Sequence, residues 1–119
     1  MKYLTPRRVT LAAGTAAMAL SATLLAPAAH ADVFTTVDAH SNIRTGPYTS
    51  SHIVGTTRAL SDIDIICYKR GTYVNSGGYH TDVWYKGIIT DGDHVYSDFY
   101  TWGGNVNTSH DPASGVPHC

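Results

Sequence analysis

The sequence predicts an all-β domain of five to seven short strands with one short helical turn. Three observations support this class. β-Branched and aromatic residues dominate the apolar segments, as they do in strands. Turn signals built from Gly, Pro, Asn and Asp separate these segments. No segment keeps a helical spacing of apolar residues over three turns. Such a pattern is typical of a small barrel or sandwich.

The first 31 residues have the composition of a secretory signal peptide. The basic residues at its start are Lys2, Arg7 and Arg8. Residues 9–25 are apolar and uncharged, and Ala29 and Ala31 supply the small residues of a cleavage site. We expect cleavage after Ala31 and a secreted domain, residues 32–119. A membrane anchor is the alternative, but an apolar run of about 17 residues is at the short edge for a span. The choice between Sec and twin-arginine export stays open.

The remaining 88 residues are enough for one small domain, which we expect to be a monomer of marginal stability. Three of the eight Lys and Arg residues lie in the leader, so residues 32–119 carry five against nine Asp, a formal net charge of −4. Nucleic acid and anionic lipid would both repel such a surface, which argues against them as partners.

The two cysteines, Cys67 and Cys119, predict a disulfide, because the number is even and the exported compartment is oxidising. Cys119 is the last residue of the sequence, so the bond would tether a C-terminal tail to the body of the domain. A metal or reactive thiol site is the alternative. It would need further ligands or a Cys-x-x-Cys pair, and the sequence has no such pair.

Three strands are predicted in the first part of the domain: residues 33–37, 42–45 and 53–55. The last two flank a loop that begins at Gly46-Pro47, where proline fixes its own φ and restricts the residue before it. The expected inward anchors are Ile43, Ile53 and Val54.

The clearest strand is residues 63–68, in which Ile63, Ile65 and Cys67 share one face by the period of two. We expect a turn at residues 69–71, a hairpin extension at Tyr73-Val74 and a flexible loop tip at residues 75–78.

The last part of the domain predicts strands at residues 83–89 and 94–97, joined by a tight turn at Asp91-Gly92. Residues 97–100 predict the single helical turn, with Ser97 able to cap it. A short strand at Thr101-Trp102 follows, and a polar tail at residues 105–118 ends the domain.

Several of these segments resemble bacterial SH3 (SH3b) domains. Residues 42–44 (Asn-Ile-Arg), 46–47 (Gly-Pro) and 53–55 (Ile-Val-Gly) resemble the family's opening motif. Residues 83–86 (Val-Trp-Tyr-Lys) and 95–100 (Val-Tyr-Ser-Asp-Phe-Tyr) resemble its last strands. Gly87, His94 and residues 32–41 depart from its pattern. The chain is most similar to small secreted actinobacterial members that end in a cysteine, a likeness that covers residues 42–119. The resemblance implies an SH3-like barrel and a non-catalytic module that binds peptidoglycan peptide or a related cell-wall ligand.

Enzyme and metal chemistry have weak support in the sequence. His80 and Asp82, and likewise Asp91, Asp93 and His94, lie close together, but at predicted turns where these residue types suit the turn geometry. The sequence contains no Glu, no His-x-x-x-His and no Gly-x-Ser-x-Gly. We therefore expect no catalytic residues, metal or cofactor.

The aromatic residues support a binding role. We expect Trp84 and Phe99 to lie in the core, and the candidate ligand-binding residues are Tyr48, Tyr85, Tyr100 and Trp102. In SH3-like barrels the opening loop and the helical turn flank one groove, and tyrosine there offers an apolar face with a polar tip. The alternative is that these rings only cover the ends of a small barrel. Arg44 could pair with a ligand carboxylate, but a structural role in the opening loop is favoured.

Two functions remain at this point. The first is a secreted module that binds cell-wall peptide or glycan. The second is a secreted protein-interaction or inhibitor-like domain that acts on another exported protein. A metal-dependent hydrolase is a minor third reading.

Overall fold

The structure, a computed structural model, describes residues 32–119, which form one compact unit. The predicted signal peptide and its cleavage site lie outside the described residues. Within residues 32–119, no helix is long and apolar enough to cross a membrane.

Six antiparallel strands form one sheet, in the order β1-β4-β5-β6-β2-β3. The strands are β1 Val33–Val37, β2 Asn42–Arg44, β3 Ile53–Thr56, β4 Ser61–Ser76, β5 Tyr79–Asp91 and β6 His94–Trp102. A single 3₁₀ turn, Gly103–Asn105, follows β6. The all-β class, the strand count and the presence of one helical turn are confirmed.

The sheet surrounds one core, to which all six strands contribute. Its buried strand residues are Val37, Ile43, Ile63, Ile65, Val83, Tyr85 and Ile89. Partly buried residues of β3 and β6 pack against them, Phe99 among these. Val106, Ala113 and Val116 bring the tail into the same core. A single sheet can enclose its own core only when it curls, which is the small barrel that the sequence predicts.

One predicted anchor is wrong. Ile43 is fully buried and Val54 packs against the core, but Ile53 is exposed. Ile43 pairs with Gly55 while Arg44 pairs with Ile53, so Val54 is an extra residue in β3. Ile53 pairs with Arg44, the neighbour of buried Ile43, and therefore lies on the outward face.

A second bulge, at Ile66, corrects the prediction that Cys67 shares a face with Ile63 and Ile65. Ile65 pairs with Gly87 in β5, whereas Cys67 pairs with Lys86. Everything after Ile66 therefore changes face, because one inserted residue inverts the alternation. The predicted turn at residues 69–71 is also wrong, since β4 continues to Ser76. The chain reverses only at Gly77 and Gly78, whose φ angles of 63° and 82° suit glycine.

The helical turn predicted at residues 97–100 is replaced by a third bulge. Gly87 pairs with Phe99 and Ile88 pairs with Ser97, which leaves Asp98 as the extra residue, at φ 66°. These residues belong to β6, and the 3₁₀ turn starts at Gly103 instead. Asp98 adopts its positive φ at a bulge inside the strand, so the prediction of a helical turn here is wrong.

Gly87, where the SH3b pattern has Val, is required by a close approach between strands. A Cβ at this position would lie 2.1 Å from the backbone oxygen of Asp64. The neighbouring bulges bring β4 this close to β5, and only glycine leaves room for the carbonyl.

The predicted disulfide between Cys67 and Cys119 is present and tethers the C-terminal tail to β4. The backbone N–H of Tyr68 donates to Pro117 O at 3.0 Å, and the N–H of Cys119 donates to Tyr68 O at 2.8 Å. β1 pairs with one edge of β4 over Ser61 to Ile65, and the tail pairs with the same edge farther along, at Tyr68. It hides backbone groups that would otherwise offer an open strand edge.

The turn between β5 and β6 is held by Arg58. Its backbone N–H donates to Asp91 Oδ2 at 2.9 Å, and its guanidinium donates to the same oxygen and to the Asp91 backbone. These hydrogen bonds, the backbone one foremost, lower the pKa of Asp91 below its usual range. The acidic turn residues here serve local structure, as the turn geometry suggested.

Candidate functional site

The four predicted ligand-binding residues do not form one groove. Tyr48 lies in the loop between β2 and β3 and is 50% exposed. Tyr85 is fully buried, and Tyr100 and Trp102 are each 8% exposed. Tyr85 faces the core inside the sheet, whereas Tyr100 and Trp102 lie on the outer face.

The buried position of Tyr85 corrects its predicted role as a ligand-binding residue. Its hydroxyl donates to Asp111 Oδ1 at 2.8 Å and accepts from the backbone N–H of Ala113 at 2.8 Å. Burial, followed by the hydrogen bond to Asp111, raises the pKa of Tyr85 well above its usual value. Tyr85 therefore fastens the tail to the core, a task that its place in a Trp-Tyr-Lys strand does not reveal.

A second aromatic cluster covers the outer face of β5 and β6. It consists of Trp84, Tyr100 and Trp102, with Val74 packed against it. Trp84 and Trp102 are cross-strand partners, and Lys86 Nζ lies 5.8 Å from the centre of the Tyr100 ring. Trp84 is buried as predicted, but in this cluster rather than in the main core.

Both indole N–H groups are held by backbone carbonyls at the β4–β5 hairpin. Trp84 Nε1 donates to Thr72 O and Trp102 Nε1 donates to Thr81 O, each at 3.0 Å. These bonds fix the orientation of both rings. The indoles consequently form a rigid floor, with their polar edges already paired.

A cavity of about 240 Å³ lies above these two indoles. We call it the indole cavity. Its remaining lining comes from the segment before β2, β2 itself, the β2–β3 loop, the β4–β5 hairpin and the 3₁₀ turn: His40, Asn42, Arg44, Thr49, Val74, Ser76 and Asn105. Trp84 and Trp102 are only 2% and 8% exposed, so the accessible lining is mainly polar. Its amide, hydroxyl and guanidinium groups suit the hydrogen-bonding surface of a peptide or a sugar.

Arg44 has the structural role that the sequence favoured. Its Nη1 donates to the backbone oxygens of Thr49 and Ser51, at 2.9 and 3.0 Å. Thr49 in turn donates its backbone N–H to Thr72 Oγ1, which ties the loop to the hairpin. The same guanidinium lines the indole cavity, so the group that shapes the loop also places positive charge at the rim.

Of the predicted site residues, only Trp102 lines this cavity. The sequence predicts Trp84 in the core and offers Arg44 as a possible ligand partner, but it carries no signal for Thr49, Ser76 or Asn105. Two tryptophans 18 positions apart indicate a shared surface only once the strand register is known. Among residues 32–119, no group of three His, Cys or Asp side chains is placed to hold a metal ion.

The chain has no significant match to any protein-family model, curated protein or solved structure.

Proposed function

We propose that residues 32–119 are an exported, non-catalytic binding module of the SH3b type, and that the indole cavity binds a cell-wall peptide or a related extracellular ligand. The observation that carries the proposal is the rigid pair of indoles, Trp84 and Trp102, beneath a polar rim at the junction of the β2–β3 loop and the β4–β5 hairpin. The SH3-like barrel expected from the opening motif puts a ligand groove beside that same loop.

The chemistry of the cavity favours binding over catalysis. The ionisable groups in its lining are His40 and Arg44, and neither makes a contact there that would activate a nucleophile. Asn42, Asn105 and Arg44 can bond the amides and carboxylates of a ligand, and the exposed edge of Trp102 offers a small apolar contact. Peptidoglycan stem peptides supply both kinds of surface.

The predicted export of the domain supports the same function. The disulfide suits an oxidising compartment, and a tail fastened by both sulfur and hydrogen bonds suits a small domain that must survive outside the cell.

The test is retention on purified insoluble peptidoglycan after centrifugation, with variants that fill the cavity. Thr49→Trp and Ser76→Trp place a large ring at two points of the rim. Ser50→Trp and Asn75→Trp are the matched controls, because they are exposed neighbours outside the lining. We expect retention of the wild type and both controls, and at least a tenfold loss for both filled variants. No retention of the wild type, or equal retention of all five proteins, would refute the assignment.

The second candidate is an interaction domain for another exported protein. The exposed apolar side chains of Phe34, Leu60 and Val95, all outside the indole cavity, favour it. Recovery of a stoichiometric partner from culture supernatant, with no retention on peptidoglycan, would support this reading instead.

A further inference from the structure

A second groove, of about 520 Å³, lies on the outer face of β1, β4 and β5. It is floored by two cross-strand rows. Phe34, Asp64 and Ile88 form one row, and Thr36, Asp62 and Thr90 form the other. We call it the Phe34 groove. Trp84 and Ile88, which line the two sites on β5, are four residues apart, so the two sites are separated by roughly 13 Å along the strand.

The Phe34 groove has an apolar wall that is largely exposed to solvent. The Phe34 ring is 75% exposed, and Ile88 stands two strands away with Asp64 between them. An aromatic ring left in water on one side of a carboxylate, with an aliphatic side chain on the other, forms a slot. The slot suits an aliphatic stem that ends in a positive charge.

The carboxylate in the middle of the slot has one oxygen without a hydrogen-bond donor. Asp64 Oδ1 is buried and accepts no hydrogen bond within residues 32–119. The ion pairs of the domain engage other acids, namely Asp82, Asp91 and Asp93. Desolvation, then the charge of the neighbouring Asp32 and a side-chain hydrogen bond with it, raise the pKa of Asp64, as expected where two carboxyl groups lie together without a cation. A cation bound in the groove would compensate it.

We propose that the Phe34 groove is a docking site for a lysine side chain of a partner peptide, with its aliphatic stem between Phe34 and Ile88 and its ammonium at Asp64. The net charge of −4 on residues 32–119 attracts a basic segment. The groove carries the carboxylates of Asp62 and Asp64. A lysine suits it because an unbranched stem can lie against Phe34 and Ile88, and a compact ammonium needs no planar, bidentate geometry.

The probes are the peptide Ac-Ala-Lys-Ala-NH₂ and its norleucine analogue, which keeps the stem and lacks the ammonium. Each is titrated into the protein of residues 32–119, and binding is monitored by the chemical shifts of backbone amides in β1 and β4. The protein is acetylated at Asp32 in every arm, because a free α-ammonium there would compete for Asp64. We expect saturable binding of the lysine peptide, at least tenfold tighter than that of the norleucine peptide, and weakening with added salt.

Two variants separate the site from general charge attraction. Asp64→Asn should weaken the lysine peptide at least tenfold, and Phe34→Ala several-fold. Asp98→Asn removes the same charge from an exposed position on β6 and should change the affinity less than twofold. Unsaturable binding, equal affinity for both peptides, or equal losses for Asp64→Asn and Asp98→Asn would overturn the proposal.

The result is independent of the cell-wall proposal. Thr49→Trp fills the indole cavity and should leave lysine-peptide binding intact, whereas Asp64→Asn should leave retention on peptidoglycan intact.

Discussion

Removing one hydroxyl from the core should weaken the attachment of the tail and destabilise the domain. Tyr85→Phe keeps the ring and deletes the oxygen that donates to Asp111 Oδ1 and accepts from Ala113 N. A hydrogen bond to a charged group contributes about 1.5–3 kcal/mol, and a buried N–H left without a partner costs about 1–3 kcal/mol. We therefore expect the free energy of unfolding to fall by about 3 kcal/mol, measured by urea denaturation at neutral pH.

The matched control is Tyr79→Phe. Tyr79 donates to the other oxygen of the same carboxylate at 3.2 Å, but the contact is exposed. Its loss should cost well under about 1 kcal/mol, because water replaces the exposed bond. Equal costs for the two variants, or a cost below about 0.5 kcal/mol for Tyr85→Phe, would refute the role assigned to the buried hydroxyl.

The same tyrosine predicts a loss of stability at alkaline pH. Because burial raises the pKa of Tyr85 in the folded state, the unfolded chain releases this proton first, from about pH 10 upward. Its contribution is complete below pH 10 and declines as the pH rises. Above pH 10, wild-type stability should fall more steeply than that of Tyr85→Phe, by up to about 1.4 kcal/mol per pH unit. Parallel curves would contradict this account.

Three further outcomes follow from the fold. Replacing Cys67 and Cys119 by Ala opens a loop of 52 residues in sequence separation, and urea denaturation should show a loss of about 4 kcal/mol. Gly87→Ala should lower the unfolding free energy by about 1–3 kcal/mol, since its Cβ would strike a backbone carbonyl of β4. Hydrogen bonds from Arg58 lower the pKa of Asp91 in the folded state. The contribution of Asp91 to stability is therefore present above about pH 4 and is lost as the pH falls. Asp91→Asn should therefore flatten the decline of the thermal midpoint between pH 5 and pH 2. Unchanged values in any of these measurements would contradict the corresponding contact.

The sequence predicts those features that depend on local chemistry. The strands around Ile43 and Ile65, the tight turn at Asp91-Gly92 and the disulfide follow from β propensity, turn residues and cysteine count. Each of these signals acts over a few residues or, for the cysteines, through the redox compartment alone.

The features that the sequence could not predict depend on bulges. Extra residues at Val54, Ile66 and Asp98 shift the alternation of faces. The one at Ile66 turns Cys67 away from the face of Ile65, whereas Ile53 lies outward because it pairs with Arg44. Apart from the bulge types that require glycine, a bulge needs no particular residue type. Its position is decided by long-range strand pairing.

The candidate site could not be predicted from the sequence, because it too depends on strand pairing. Trp84 and Trp102 meet only through the β5–β6 register. Tyr85 shares the inward face of β5 with Val83 and Ile89, and Asp111, 26 residues away, accepts its hydroxyl there. Whether an aromatic ring lines a surface or fills a core was decided by pairing partners far along the chain.

The most direct test of the indole cavity uses the fact that the sequence contains two tryptophans, Trp84 and Trp102, and that both line it. Each gives one indole N–H signal in a ¹⁵N-correlated NMR spectrum. Soluble peptidoglycan fragments should shift both signals saturably. The two indole signals and the backbone amide of Thr49 should titrate with the same dissociation constant. Unmoved indole signals, at fragment concentrations that shift amides elsewhere in the domain, would contradict the account.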